Sequence, residues 1–338
     1  MNFINILNHI LRPLEWVVAQ LLTLFHHALV TFGMTAGPSP AWGIAIMCLV
    51  LVIRICLLPL FLSQMRAMQR MQVLQPQIQR IQHKYAARKD PRSKEAMQRE
   101  IMALQQRYNA NPLGSCLPSL IQAPILCSLF YTLQSLPAIA DGNAEPLGGI
   151  DHTMAGDIES SSIFGVRIAD SFGTVASPQS RIIIGVAVAL MCLTLFAIQW
   201  MLIHRNTSKD AMVSPQFRVQ KMTVFVFPAI YVVSGATLPF GVLLYWLTNN
   251  LWNLGQTLCQ LRWFPTPGSA AGERKARRDY EQDNRRRAAA GLPSLEEERA
   301  MAAREEAKAR REREKSAASR NRKQHKTPHL AKRSIVKR

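Results

Sequence analysis

The chain has 338 residues, with 41 Lys and Arg against 22 Asp and Glu, a formal net charge of +19 and a mean hydropathy of +0.01. A soluble protein of this length would hold two domains, but the averages conceal strongly apolar runs diluted by a charged C-terminal quarter. Residues 262–338 carry 23 of the basic residues and 11 acids, so the charge belongs to a separable region and points to nucleic acid or an anionic membrane surface as partner.

Residues 1–40 read as an interfacial amphipathic helix and a linker. Leu14, Val17, Val18, Leu21, Leu22, Phe25 and Leu29 fall on one helical face, and Arg12, Glu15, Gln20, Thr23, His26 and His27 crowd the other. A two-faced helix of this kind lies in the membrane interface. A sixth span with the N-terminus inside is the alternative. The polar residues also interrupt the run too often for a signal peptide.

A five-span core follows over 41–262. The apolar runs 41–62, 113–136 and 182–204 each reach the roughly 20 residues that a helix needs to cross a bilayer. The region from Met222 to Leu261 is too long for one span. Pro228, Pro239 and the Ser234-Gly235-Ala236 break divide it into spans at 217–234 and 240–261. Between the first two spans, residues 64–110 read as a helical hairpin. Met65, Met68, Met71, Leu74, Ile78, Ile81 and Tyr85 recur at steps of three and four, and Met97, Ile101, Leu104 and Tyr108 do so after the turn at Arg88-Lys89-Asp90-Pro91. The two stripes either pack on each other or offer a soft, Met-rich surface to apolar segments.

Charge orients the spans. Segment 64–112 carries ten Lys and Arg against three acids, and 205–222 carries four against one. The outer loop, 137–180, has six acids and Arg167 as its single Lys or Arg until the next span. The positive-inside rule then makes the hairpin and the C-terminus cytoplasmic. In the tail, 263–338, Ser294 and Glu297 have capping-box spacing before an Ala/Glu/Arg-rich helix to Lys315. Residues 320–338 carry eight basic residues and no acid, and read as disordered and polyanion-binding.

Arg54 is the most informative residue. It is fourteenth of the 22 positions in 41–62, about 12 Å from the cytoplasmic end at 1.5 Å per residue. An Arg near mid-bilayer costs from about 3 to over 10 kcal/mol unless it meets water or a partner. No span contains Asp or Glu, so beyond snorkelling the guanidinium calls for a water-filled cavity. Gln122, Gln134, Gln199, Asn249, Asn250, Asn253 and Gln256 are the candidate polar lining, although each alone would serve as an interhelical hydrogen-bonding residue. The six cysteines, Cys48, Cys56, Cys116, Cys127, Cys192 and Cys259, lie in apolar runs without ligand spacing, so neither a disulfide framework nor a metal site is expected. Nothing resembles a nucleophile–base pair, a phosphate loop or a cofactor site, so the chain does not read as an enzyme.

Four stretches resemble the YidC/Oxa/Albino family of membrane protein insertases, in the family's order. They are Arg54 with Pro59; Leu74-Gln75-Pro76-Gln77-Ile78-Gln79; the run from Asn111-Pro112-Leu113-Gly114-Ser115-Cys116-Leu117-Pro118 to Leu120-Ile121-Gln122-Ala123-Pro124-Ile125; and Leu243-Leu244-Tyr245-Trp246-Leu247-Thr248-Asn249-Asn250. The resemblance covers about 41–262. It implies an all-α polytopic protein of the bacterial plasma membrane, in the form without a large outer domain. Five helices would enclose a hydrophilic groove open to cytoplasm and lipid and closed outside. Arg54 would be the groove charge, with Gln199, Tyr245, Trp246 and Gln122 around the client. Position 50, a groove hydroxyl in some members, is Val50 here.

The implied function is insertion and assisted folding of nascent membrane proteins, alone or beside the Sec translocon and signal recognition machinery. The basic tail would bind ribosomal RNA or membrane lipids. A solute transporter or channel with an Arg-lined anion site is the alternative, though no internal repeat supports it. A passive ribosome receptor would leave Arg54 unexplained.

Overall fold

The computed structural model describes residues 3–87, 90–110, 117–213 and 215–326. It divides into two compact units, Met1–Glu273 and Arg274–Arg338. Among the described residues, four helices are long and apolar enough to cross a bilayer, and a fifth span results if one bent helix pair is taken together.

Helix α1, Phe3–Thr31, packs through Val18, Ala19 and Leu22 on the same core as the second helix, α2. Its Leu11–Thr31 stretch meets the length and apolarity of a span. Helix α2, Pro40–Cys56, starts where Ser39 Oγ accepts from Ala41 N at 3.3 Å, with Pro40 in the first turn, where its missing N–H costs nothing. The expected single span 41–62 is broken. Leu57 closes α2, and α3, Leu58–Tyr85, leaves at a 54° bend. Pro59 is the cause: it has no N–H for the carbonyl of Ile55, and its ring crowds that carbonyl. The second half of the expected span is therefore the first turns of the helical hairpin.

That hairpin closes with α4, Pro91–Arg107, whose N-cap Asp90 accepts from Ser93 N at 2.8 Å. Leu74, Ile78 and Ala110 form its buried seam, flanked by Met71, Ile101 and Leu104. Lys84 and Glu100 pair across it at 2.9 Å. The Arg88-Lys89 turn and the motif segment 111–116 lie outside the described residues.

Helix α5, Leu117–Ala140, leads to a loop with structure of its own: α6, His152–Ser160, and a two-stranded hairpin, β1 Ser162–Ile163 with β2 Val166–Arg167. Its turn, Phe164-Gly165, takes positive φ at both positions (53° and 80°), which Gly165 tolerates freely. Ile163, Val166 and Ile168 are buried beneath it.

Helix α7, Pro178–Met201, runs on through a π-helical turn at Leu202–Asn206. Helix α8, Pro215–Thr237, continues through Ser234-Gly235-Ala236, so the break expected there falls instead at Leu238-Pro239. Gly235 has a packing role: a Cβ there would collide with Val188 of α7. Helix α9, Phe240–Trp263, is the most enclosed, burying Phe240–Tyr245, Asn250, Thr257 and Gln260. It falls outside the four apolar helices because its amides turn inward, where hydropathy misjudges them.

Residues 264–273 were expected in the tail but fold onto the membrane unit. Thr266 N donates to Asn206 Oδ1 at 2.9 Å, and Lys209 pairs with Glu273 at 3.1 Å. Helix α10, Ala270–Ala289, was not foreseen. In the tail unit, Ser294 and Glu297 form the expected capping box before α11, Leu295–Lys326. The helix thus extends into the segment read as disordered, and 327–338 lies outside the described residues.

Candidate functional site

Arg54 sits in the last turn of α2, where the carbonyl end of the helix favours a cation. Its Nε donates to Asn249 Oδ1 of α9 at 2.8 Å, and Nη2 donates to the same oxygen. The sequence offered no acid as partner, and the structure supplies a neutral amide. Four residues earlier on α9, the hydroxyl of Tyr245 accepts from Gln122 Nε2 of α5. The two bonds brace α2 and α5 to α9.

Below this brace lies a cavity of about 550 Å³, lined by Arg54, Gln122, Tyr231, Asn253 and Gln256, and by an apolar wall of Leu57, Leu60, Phe61, Leu126 and Phe227. A second chamber of about 270 Å³ adjoins it and shares Phe61, Gln64, Asn253 and Gln256. Gln199 lines the second chamber with Gln72, Gln220 and Gln260. Among the described residues, no carboxylate lines either one. A third crevice, of about 440 Å³ and almost wholly apolar, runs between Leu58, Leu62 and Met65 of α3 and Leu251, Trp252 and Cys259 of α9. Phe61 and Gln256 touch all three spaces.

Beyond the brace the bundle is packed with apolar side chains: Trp42, Ile46, Leu49, Val50, Leu129 and Leu133 fill the layer around Tyr245. Ile168 reaches that layer from the loop between α5 and α7, whose backbone also caps α9. Gly241 N donates to Ile168 O at 2.9 Å and Phe240 N to Asp170 O at 2.7 Å, satisfying donors that a helix start leaves open.

The sequence-derived residues therefore separate. Arg54 and Gln122 share the first chamber, and Tyr245, 2% exposed, joins them through its hydroxyl. Gln199 belongs to the second chamber. Trp246 stacks on Tyr231, with ring centroids 5.0 Å apart, and so backs a chamber wall without lining either space. Asn250 turns away, towards Met191 O at 3.5 Å, and Gln134 is exposed. Sequence reading missed Phe61, Gln64, Gln72, Gln220 and Gln260. The signal was present: Tyr245, Asn249, Asn253, Gln256 and Gln260 follow one helical face at steps of four, four, three and four. Among the described residues there is no cluster of His, Cys, Asp and Glu able to hold a metal.

A family model described as 60Kd inner membrane protein matches residues 34–266. A protein of Bifidobacterium longum named membrane protein insertase YidC is 44% identical over 306 residues, covering 90% of each chain. Proteins of that name from Streptomyces avermitilis and Tropheryma whipplei are 34% and 31% identical, across 79% and 81% of this chain and 61% and 90% of their own. The matched region takes in both sides of the Arg54–Asn249 brace and the chambers it supports, and on these grounds the chain belongs to the YidC/Oxa family of membrane protein insertases.

Proposed function

We propose that the Arg54 chamber receives the hydrophilic, preferably acidic, part of a nascent membrane protein on its way outward. The carrying observation is the pairing of Arg54 with neutral Asn249 in a cavity that no carboxylate lines among the described residues. An Asp partner would hold the guanidinium equally well but cancel its field. An amide fixes the direction of the side chain and leaves the charge for the client. Water in the chamber shortens the hydrocarbon path, and the client's apolar span then partitions into lipid by way of the crevice between α3 and α9. Burial of that span supplies most of the driving force. Gln122 and Tyr245 hold the wall between chamber and outer core, Trp246 supports it through Tyr231, and Gln199 lines the cytoplasmic approach.

In this reading the C-terminus is cytoplasmic. The tail engages ribosomal RNA through phosphates, and anionic lipid headgroups compete for it. Service alone and beside the Sec translocon both fit a groove open to the cytoplasm. Helix α1 lies along the outer surface: Arg12 pairs with Glu145 at 3.9 Å, Gly148 abuts Trp16, Gly149 abuts Thr23, and His26 stacks on Trp42. Contacts with the outer loop and the start of α2 along some 14 residues, about 21 Å of helix, suit a helix in the interface better than one crossing it.

The test is insertion of matched clients, with acidic or uncharged tails, into vesicles holding equal folded amounts of each variant. Arg54→Lys should retain more activity than Arg54→Ala, because charge survives without the planar fork. Arg54→Glu should be worst for the acidic tail. Equal insertion of every client by wild type and Arg54→Glu would overturn the proposal.

A further inference from the structure

Among the described residues, the second chamber is lined by no charged side chain and is rich in primary amides. Gln72 of α3, Gln199 of α7, Gln220 of α8, and Asn253, Gln256 and Gln260 of α9 face one space of about 270 Å³ at the hairpin end of the bundle. A hydrated ion path needs no such repetition, since Ser, Thr or charged groups would serve it. A carboxamide differs from those in carrying the donor and the acceptor of the peptide group itself. A lining of them can replace water around N–H and C=O groups without selecting side chains.

Two further details point the same way. Gln72 Oε1 is buried, and no described residue donates to it. A buried acceptor left so is costly, and rotation of the Gln72 side chain, which lines the chamber, would turn it to a guest. Among the described residues, Gln199 Nε2 is held only by Thr223 Oγ1 at 3.5 Å, the outer limit of a hydrogen bond, so it is available to a guest. The space equals the liquid volume of about nine waters, at roughly 30 Å³ each, which a short extended stretch of chain can displace.

We infer that this antechamber binds the extended main chain of the client, through its peptide N–H and C=O groups and irrespective of sequence, before the chain reaches Arg54. The inference rests on the proposed passage of a hydrophilic segment through the Arg54 chamber and assigns a second, charge-blind step to it. An unfolded segment leaving water must find partners for each peptide group, and the amides of this chamber provide them.

The experiment uses the full chain in vesicles and synthetic single-span clients of three kinds: an acidic tail, an uncharged tail, and an uncharged tail with alternate amides replaced by esters. The ester removes a backbone N–H and keeps the side chains. Gln72→Leu with Gln256→Leu should slow insertion of both amide clients by a similar factor, about three- to tenfold for one or two hydrogen bonds lost. The ester client should lose less from the same variant. Gln256→Asn, which keeps the amide, should restore part of the rate and guards against a merely misfolded Leu variant. A loss confined to the acidic client would overturn the inference in favour of simple hydration of Arg54. Equal losses for ester and amide clients would also overturn it. Should the Leu variant insert all clients normally while Arg54→Glu still fails on acidic ones, the inference falls and the proposed function stands. Normal insertion by both variants would defeat the two together.

Discussion

Arg54 and Asn249, 195 residues apart in sequence, meet through two hydrogen bonds to a single oxygen. Asn249 therefore controls both the aim of the guanidinium and its effective charge. Asn249→Leu leaves Arg54 half-buried without this partner, and a lost bond to a charged group is worth about 1.5–3 kcal/mol, so insertion of acidic-tailed clients should fall by roughly tenfold or more. Asn249→Asp should leave the fold at least as stable yet damage the same clients, because the pair is then neutral. Thermal unfolding in detergent alongside the insertion assay separates the two effects. An Asp variant as active as wild type on acidic clients would show that the charge of Arg54 is not what the client meets.

Packing at the start of α9 depends on a missing side chain. A Cβ at Gly241 would lie 2.7 Å from Ile168 Cγ2 and 3.2 Å from Leu133 Cδ1, closer than packed atoms allow. Gly241→Ala should cost about 1–3 kcal/mol by overpacking and lift the Ile168 plug from α9. A lower thermal midpoint, recovered in part by adding Ile168→Leu, which removes the clashing Cγ2 methyl, is the expected result. No recovery would place the strain on Leu133 or Ile46 instead.

The first half of this architecture was legible because its signals are local. Apolar runs, charge bias and the capping box at Ser294 each depend on neighbours in sequence. The break at Leu57 was legible in principle through Pro59, but the run stays apolar to Leu62, and hydropathy does not register a bend. The outer hairpin gave no signal because two-residue strands have no periodicity. Facing is the subtler matter. Trp246 follows Tyr245 by one residue, about 100° around the helix, so the two cannot line the same space. The Asn249–Gln260 stripe could have been read as one face, yet which helices it would meet is a property of packing alone.

The capping box makes a pH-dependent prediction for the tail. Glu297 accepts from Ser294 N at 2.9 Å, and this bond, followed by that to the Ser294 side chain, holds its carboxyl below the usual carboxylate pKa of 4.5. A depressed acid stabilises the folded state above its unfolded pKa and loses that contribution as pH falls through the lowered value. First-turn amides of α11 should therefore exchange faster below about pH 4.5 than the helix middle does, relative to neutral pH. Glu297→Gln should flatten this dependence. Ser294→Ala should speed exchange of the first turn several-fold at all pH values, as loss of an N-cap does. An unchanged first-turn profile in Glu297→Gln would assign the acid sensitivity to other carboxylates.

The boundary between the units decides where the tail can be cut without damage. Removal of everything after Pro267 would delete Ser269, whose Oγ donates to Thr266 O at 2.6 Å, and Glu273, which holds Lys209. A stop after Glu273 spares these contacts and still removes 22 basic residues and 10 acids. This variant should keep the thermal midpoint of the membrane unit and lose co-sedimentation with ribosomes. For the intact chain, binding should fall steeply with salt. Neutralising six to ten phosphates of a duplex costs about 10³–10⁵ in affinity between 50 and 200 mM salt. Anionic lipid is the competing partner for the same charges, and a Debye length of about 8–10 Å screens that attraction too, so salt alone does not discriminate. The discriminating arm is detergent-solubilised protein, where no lipid surface is offered. Salt-sensitive ribosome binding there, absent after truncation, assigns the tail to RNA. Binding that survives truncation would move the ribosome contact to the α3–α4 hairpin, whose segment 64–112 carries its own basic excess.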